Sequence, residues 1–217
     1  MLYLRAQGVP KGSDTRECLS SEEVRGSSVS DTFKDPEIMI EKKCTFETDR
    51  LFVEQWHSFE FHQLQERDLE SILADMLTEP VTRLLPPEWR GAYTVERARM
   101  WIRDRDNEGT NLLVIEKSTK EPIGLMILFA SKEGADVEMR IGFLFAESSW
   151  GKGFGTELLG GFIDWCRGQP MIKSIAGGVA PGNVASKRVM EKLGFVLVEG
   201  DSGASSEDEL FRLQLRD

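Results

Sequence analysis

Apolar residues recur along the chain with two periods, and each period predicts one type of secondary structure. Between residues 66 and 77 they fall at i, i+3, i+4, i+7 and i+8, as on one face of a helix. Between residues 45 and 56 apolar and polar positions alternate, which is typical of a strand. Prolines at positions 80, 86 and 87 then break the helical pattern. Residues 82–93 are therefore predicted to form a loop in which Trp89 and Arg90 are exposed.

The second half of the chain alternates between predicted strands and helices. A helix over 94–105, with Thr94 as its N-cap, precedes strands over 111–117, 123–129 and 136–146. The later elements are a helix over 156–166 with Cys166 on its apolar side, a strand over 174–180, a helix over 183–193 ended by Gly194, and strands over 195–199 and 209–215. This order predicts an α/β fold, a mixed sheet with helices on both faces.

Residues 1–44 differ in composition from the rest of the chain. Gly, Ser, Thr, Asp and Glu recur there, and no apolar period lasts for more than a few residues. We predict a disordered or loosely packed extension, followed by one domain over 45–217. The extension could instead become ordered against a partner chain, such as a second copy in a homodimer.

The composition argues against several kinds of binding partner and against metal and disulfide sites. The net charge is −10 over 217 residues, which disfavours nucleic acid as a partner. No run approaches the ~20 apolar residues of a membrane span, and the first residues lack the apolar core of a signal peptide. The three cysteines are far apart and the two histidines, His57 and His62, are five residues apart, so neither a metal site nor a disulfide framework is indicated. We expect a cytoplasmic protein without a membrane partner.

Glycines at 151, 153 and 155 lie between the predicted strand over 136–146 and the helix that follows. Glycine permits backbone conformations that side chains forbid, and it lets a ligand approach the main chain. The unpaired N–H groups of a helix that begins here would favour a phosphate group. Three alternating glycines by themselves fit a tight turn without a ligand equally well.

Two segments together resemble the GNAT superfamily of acetyl-CoA-dependent N-acetyltransferases. They are RIGFLFAESSWGKGFGTEL at 140–158 and NVASKRVMEKLGF at 183–195. Trp150 holds the Gln or Arg position of the acetyl-CoA signature, and Gly153 and Gly155 hold its small-residue positions. The sequence WGKGF at 150–154 and the sequence TDRL at 48–51 are similar to the ribosomal-protein N-terminal (Rim-type) branch.

The resemblance implies a mostly antiparallel, splayed sheet that binds acetyl-CoA as co-substrate. It assigns the pantetheine arm to the strand backbone and the pyrophosphate to the glycine turn. Lys152 and Arg188 would add positive charge near the phosphates, or else be ordinary solvated residues. The implied cofactor-binding residues are Phe143, Leu144, Phe145, Gly151, Lys152, Gly153, Phe154, Gly155, Thr156, Asn183 and Arg188.

The catalytic residues depart from the commonest family pattern. Met190 stands where many members carry a tyrosine that protonates the thiolate, and the resemblance gives that role to Ser186 instead. Asn183 and Ser186 would otherwise be an N-cap and an ordinary first-turn residue. The resemblance also leads us to expect Glu at position 140, where Arg140 stands. Either Glu138 serves as the general base, or water relays the proton and Glu138 pairs with Arg140.

The acceptor would be a primary amine, either a protein N-terminus or a small molecule, that attacks the thioester directly in a ternary complex. By resemblance, Arg83, Trp89 and Arg90 of the loop would line the acceptor cleft. A non-catalytic module that binds or senses acyl-CoA is the alternative, because the tyrosine is missing and the glutamate is displaced. An unrelated nucleotide binder is least favoured, because the turn has no Gly-x4-Gly-Lys-Ser/Thr pattern.

Overall fold

An eight-stranded sheet lies at the centre of the fold. The computed structural model describes residues 43–58, 67–133, 135–202 and 208–216. The strands in these residues are β1 (Phe46–Glu47), β2 (Leu51–Gln55), β3 (Thr110–Glu116), β4 (Glu121–Glu133), β5 (Asp136–Phe145), β6 (Ile172–Val179), β7 (Val196–Ser202) and β8 (Glu209–Gln214). The helices are α1 (Leu69–Met76), α2 (Glu79–Thr82), α3 (Val95–Asp106), α4 (Phe154–Arg167) and α5 (Val184–Lys192). The 3-10 turns are Pro87–Trp89 and Glu147–Ser149.

The strand order across the sheet is β1-β2-β3-β4-β5-β6-β8-β7. Neighbouring strands are antiparallel except for β5 and β6, which run parallel. A parallel pair requires a crossover connection, and α4 supplies it. The predicted α/β class, with a mixed and mostly antiparallel sheet, is confirmed.

Side-chain alternation along the strands divides the interior into two cores. The first core lies between the sheet and the helices α4 and α5, and it contains Met139, Phe143 and Cys166. The second core lies on the opposite face, under α1, α2 and α3, and it contains Leu113 and Leu125. The predicted helices on both faces and the predicted core position of Cys166 are thus confirmed.

Local sequence sets the ends of the helices. The Asp68 carboxylate accepts a hydrogen bond from the Ser71 N–H at 2.7 Å and caps α1. The Thr94 hydroxyl accepts from the Arg97 N–H at 3.2 Å and caps α3. Gly194 follows α5 with a φ of 86°, a left-handed conformation that glycine adopts without strain. The predicted roles of Thr94 and Gly194 are confirmed.

The strand predicted over 45–56 is divided into β1 and β2. The chain turns there because the Thr48 N–H donates to the Leu51 carbonyl at 2.9 Å and the Thr48 hydroxyl accepts from the Leu51 N–H at 3.0 Å. Cys44, which the predicted extension over 1–44 includes, is buried in the first core. Residues 1–42 of that extension, and His62, lie outside the described residues, so the domain boundary stays a prediction.

The expectation that Trp89 is exposed is wrong. Its ring is half-buried and meets the edge of the Trp101 ring, with the two centroids 5.5 Å apart. The Arg105 guanidinium lies 4.1 Å from the Trp89 ring centroid. The segment over 82–93 therefore contributes to the second core and contains the 3-10 turn Pro87–Trp89.

Helix α4 packs closely on β1 at one glycine. A Cβ atom added to Gly161 would lie 2.6 Å from Thr48 Cγ2 and 3.0 Å from the Phe46 ring. A Cβ atom added to Gly160 would have no neighbour within 4 Å. Because the two glycines are adjacent in one helix, substitutions at Gly160 and Gly161 distinguish the effect of packing from that of helix propensity.

We expect Gly160→Ala and Gly161→Ala to change stability in opposite directions. Gly160→Ala should raise the free energy of unfolding by about 0.5–1 kcal/mol, since alanine favours a helix interior over glycine. Gly161→Ala should lower it by about 1–2 kcal/mol, since the added methyl group overpacks the contact with β1. Urea denaturation of both variants checks this, and equal shifts of the same sign would contradict the close packing.

Candidate active site

The parallel strands β5 and β6 are paired along only part of their length. Their ladder runs from Val137 and Ile172 to Arg140 and Ala176. Strand β5 continues to Phe145, still paired with β4, while β6 pairs with β8 as far as Val179. The two strands therefore splay apart beyond Arg140 and Ala176.

The backbone of β5 offers hydrogen-bonding groups to the gap. The Ala146 N–H donates to the Ile123 carbonyl at 2.8 Å, which fixes which residues of β5 face β4. By strand alternation, the polar backbone groups of Phe143 and Phe145 face the β6 side, and those of Leu144 face β4. The Phe145 carbonyl accepts from Trp150 Nε1 at 2.8 Å. Both backbone groups of Phe143 and the N–H of Phe145 are thus directed toward the gap.

The turn after β5 contains two glycines in left-handed conformations. The φ angle is 74° at Gly151 and 80° at Gly153, a region that residues with side chains rarely adopt. A Cβ atom at Gly151 would have no neighbour within 4 Å, so the space beside the backbone is open. Gly155 belongs to the first turn of α4. The predicted glycine turn is therefore present, with its exposed backbone next to the end of β5.

Helix α4 begins without a capping side chain. Its first hydrogen bond joins the Glu157 N–H to the Gly153 carbonyl at 3.2 Å. The N–H groups of Phe154, Gly155 and Thr156 precede this bond, and Gly153 has no side chain to accept from them. These N–H groups and the positive end of the helix dipole favour an anion.

Helix α5 begins at the same edge of the sheet, because it follows β6 as α4 follows β5. The Asn183 side-chain oxygen accepts from the Ser186 N–H at 3.3 Å, so Asn183 is the N-cap. Asn183 is only 4% exposed, and within the described residues its Nδ2 makes no hydrogen bond. Ser186 is fully buried, as is Met190 in the first core. The two helix starts thus flank the gap between β5 and β6.

The turn between β1 and β2 holds the start of α4. The Thr48 hydroxyl and the Arg50 N–H both donate to Glu157 Oε1, at 2.6 and 2.8 Å. Arg50 Nε donates to Glu157 Oε2 at 2.6 Å, and Arg50 Nη1 donates to the Lys152 carbonyl at 3.1 Å. The Arg50 guanidinium also lies 4.4 Å from the Phe154 ring centroid. The sequence indicated the segment 48–51 only through the family resemblance, and no pattern predicted a role for Arg50.

A polar cluster on β5, β6 and β8 surrounds Glu138. Arg140 Nε donates to Glu138 Oε1 at 3.2 Å, while Arg212 Nε and the Ser174 hydroxyl donate to Oε2 at 2.7 and 3.2 Å. The pairing of Glu138 with Arg140, which the sequence left open, is therefore present. Nothing in the sequence pattern indicated Arg212 or Ser174, since both are distant along the chain.

The candidate acceptor loop over 82–93 is held by its own polar contacts. Arg90 Nε donates to the Leu85 carbonyl at 2.8 Å, and Arg97 Nη2 donates to the Arg90 carbonyl at 2.8 Å. The side chains of Arg83 and Arg90 are exposed. Lys152 and Arg188, predicted near the phosphates, are exposed as well.

The two described cysteines, Cys44 and Cys166, are buried and free. Burial raises the pKa of both thiols well above the ordinary range. Neither thiol is therefore suited to act as a nucleophile at neutral pH.

The profile of one protein family covers most of the described chain. It is described as "Acetyltransferase (GNAT) domain", and it matches residues 59–196. The chain belongs to the GNAT acetyltransferase family.

Known proteins agree with this assignment. The Bacillus subtilis protein YjcK, named a probable N-acetyltransferase, is 32% identical over 108 residues, which span 48% of this chain and 60% of YjcK. A GNAT-family acetyltransferase of Bacillus anthracis superposes with a TM-score of 0.61 and 20% identity, covering 79% of this chain and 99% of the other. The structure of AAC(6')-Ib with ribostamycin and coenzyme A superposes with a TM-score of 0.59 and 17% identity, covering 76% and 94%.

Membership of the GNAT family gives the general reaction, which is acetyl transfer, and makes the chain an acyltransferase. The splayed β5 and β6 and the glycine turn are the structural features that the family resemblance implied. In the part of the chain that the structure describes, no helix has the length and apolar character of a membrane span.

Glu157 links the glycine turn to β1, and its ionisation should affect the stability of this GNAT domain. Burial alone would raise its pKa, but hydrogen bonds from Thr48 and Arg50 outweigh that effect and hold the pKa below its ordinary value of 4.5. The lowered pKa gives stability that is present above pH 4.5 and is lost as the pH falls through the folded value.

We therefore expect Glu157→Gln to lower the free energy of unfolding at pH 7 and to have a smaller effect at pH 4. Urea denaturation of both proteins at the two pH values measures the difference. A deficit of the same size at both values would show that the charge of Glu157 is unimportant.

Proposed function

We propose that this protein is an N-acetyltransferase that moves the acetyl group of acetyl-CoA to a primary amine by direct attack in a ternary complex. The observation that carries the proposal is the early end of the ladder between β5 and β6, flanked by the starts of α4 and α5. A gap between parallel strands, with helix N-termini on both sides, suits an extended ligand that ends in a pyrophosphate.

The residues at the gap fit coenzyme A along its length. The N–H groups of Phe154, Gly155 and Thr156 are suited to the pyrophosphate, and the open backbone of Gly151 leaves room for it. The side chains of Lys152 and Arg188 would add positive charge near the pyrophosphate. The Phe143 N–H and the buried Asn183 Nδ2 are proposed donors to the carbonyl groups of the pantetheine arm, and the Phe143 carbonyl is a proposed acceptor from its amide N–H. AAC(6')-Ib, which shares the fold, has been solved with coenzyme A.

The chemistry requires a neutral amine, a stabilised oxyanion and a proton for the departing thiolate. The amine nitrogen forms the new bond to the carbonyl carbon, and the carbon–sulfur bond breaks. Ser186, at the first turn of α5, is the proposed proton donor to the sulfur, and the proton that leaves the amine restores its hydroxyl through water. The Glu138 oxygens already accept from Arg140, Arg212 and Ser174, which favours water over Glu138 as the acceptor of the amine proton.

The acceptor cleft is proposed to lie beside the loop of Arg83, Trp89 and Arg90. The side chains of Arg83 and Arg90 are exposed and could contact an acceptor. Contacts with α3 hold the loop in place, so it can line one side of the proposed cleft. A protein N-terminus, as in the Rim-type branch, and a small-molecule amine both remain proposed acceptors. A panel of N-terminal peptides and small amines with acetyl-CoA, read by thiol release and by product mass, tests the reaction.

A charge at the start of α4 should decide cofactor affinity. We expect Thr156→Glu to leave the helix stable, because a carboxylate is favourable in a first turn, and to weaken coenzyme A binding by at least ~10-fold through repulsion of the pyrophosphate. Thr156→Gln, of the same size and without the charge, is the control. Calorimetric titration with coenzyme A measures both, and equal affinities would argue against a pyrophosphate at this helix.

The role of Ser186 should show in turnover and not in binding. Ser186→Ala should lower kcat by about 10–100-fold, because the thiolate loses its proton donor, with the affinity for acetyl-CoA unchanged. Ser186→Cys, which retains a weak donor, should lose less. A wild-type protein that binds acetyl-CoA but releases no thiol with any acceptor would instead indicate a non-catalytic acyl-CoA-binding module.

A further inference from the structure

On the face of the sheet opposite α4 and α5, the strands β5, β6 and β8 carry polar side chains. Met139, Ile141 and Phe143 of β5 point into the first core, so Glu138 and Arg140 between them point to the opposite face. On that face α1 contacts β4 and α3 contacts β3. The polar residues of β5, β6 and β8 thus lie beside the helical layer, on the side of the splay.

Two arginines in this region share one carboxylate. Arg140 and Arg212 each donate through Nε to a different oxygen of Glu138. Their side chains are 24% and 33% exposed, whereas Glu138 is 14% exposed. Within the described residues the two terminal nitrogens of Arg212 make no hydrogen bond. The cluster thus brings two guanidinium groups to one carboxylate, in a chain whose net charge is −10.

The strand between the two arginines carries small side chains. Ala176 is in register with both Arg140 and Arg212. The Cα atoms of the two arginines are therefore roughly 10 Å apart, which is twice the spacing between neighbouring strands. Ser174 and Gly178 are the other residues of β6 on this face. The Glu138 carboxylate therefore lies between the two guanidinium groups, and no large side chain of β6 covers Arg212 on this face.

The cluster lies at the point where the site would hold the reacting groups. Arg140 and Ala176 form the last pair of the ladder before β5 and β6 diverge. If the pantetheine arm enters the gap, as the proposed function requires, its thioester end approaches this pair. The Arg212 guanidinium, with its terminal nitrogens unbonded within the described residues, attracts an acceptor with a negative group near its amine and repels a polycationic one.

We infer that the acceptor is an amine that also carries a carboxylate or a phosphate group, and that Arg212 binds this anionic group. The inference rests on the proposed function. A guanidinium group offers paired N–H donors that match either anion, and the terminal nitrogens of Arg212 are placed to use them. Glu138 is a positioning residue, because its carboxylate reaches across β6 on one face of the sheet and holds the Nε of Arg212.

Acceptors that differ only in the anionic group test the inference. Each amino acid is compared with its amide, and phosphoethanolamine with ethanolamine, by thiol release from acetyl-CoA. An aminoglycoside serves as the polycationic probe. We expect the anionic member of each pair to have a kcat/KM at least ~10-fold higher. Protonation acts against this preference, because the amine of an amino acid is more basic than that of its amide and less of it is neutral at pH 7. A larger kcat/KM ratio for the amino acid and its amide indicates a carboxylate, and a larger ratio for phosphoethanolamine and ethanolamine indicates a phosphate.

Substitution of Arg212 should remove this preference selectively. Arg212→Gln should raise KM for the anionic acceptor about 10-fold and leave the neutral acceptor unchanged. Arg212→Lys, which keeps the charge without the paired donors, should be intermediate. Arg103→Gln, on an exposed position of α3, is the control and should change neither acceptor. Equal losses for both members of a pair, or no preference in the wild-type protein, would overturn the inference.

Binding measurements separate this inference from the proposed reaction. Calorimetry with coenzyme A present follows the paired acceptors without turnover. Selective binding of the anionic member, lost in Arg212→Gln, supports the anion site even if no acetyl group is transferred, in which case the proposed function alone fails. Equal binding of both members, or binding of neither, overturns the anion site whatever the result for acetyl transfer.

Discussion

The arrangement of the site depends on where the ladder between β5 and β6 ends. The strands pair up to Arg140 and Ala176, and then each continues with a different neighbour, β4 for one and β8 for the other. Because the two strands are parallel, their carboxyl ends lie at one edge, and the helices that follow them start there. The break in the ladder leaves a gap with exposed backbone groups, and the parallel direction of the strands places two positive helix ends beside it.

The glycine turn can expose its backbone because other parts of the chain hold it in position. Gly151 and Gly153 adopt left-handed conformations, and Gly153 leaves the start of α4 without a cap. Arg50 and Glu157 fix the turn from the β1 side, while Trp150 fixes it to the end of β5. The free N–H groups are therefore held rigidly before a ligand arrives, which lowers the ordering cost of binding.

Acetyl transfer in this chain would depend on a charge distribution unlike that implied by the commonest family pattern. Arg140 stands where a glutamate is usual, and the nearby Glu138 is held between two arginines. The residue at the tyrosine position, Met190, is buried in the first core. Under the proposed function, proton transfer would then fall to Ser186 and to water, and Arg212 would be available for the acceptor. One change of charge at the start of the splay thus bears on both mechanism and specificity.

The sequence by itself determined the order of the long helices and of the strands from residue 110 onward, the caps at Thr94 and Asn183, the glycine turn and the family resemblance. These features depend on residues close together in the chain, where periodicity and local hydrogen bonds act. The tertiary structure alone decided which distant residues meet. Arg212 is 74 residues from Glu138, and Arg50 is 107 residues from Glu157. Such contacts depend on strand pairing and on the packing of helices against the sheet, which no local pattern encodes.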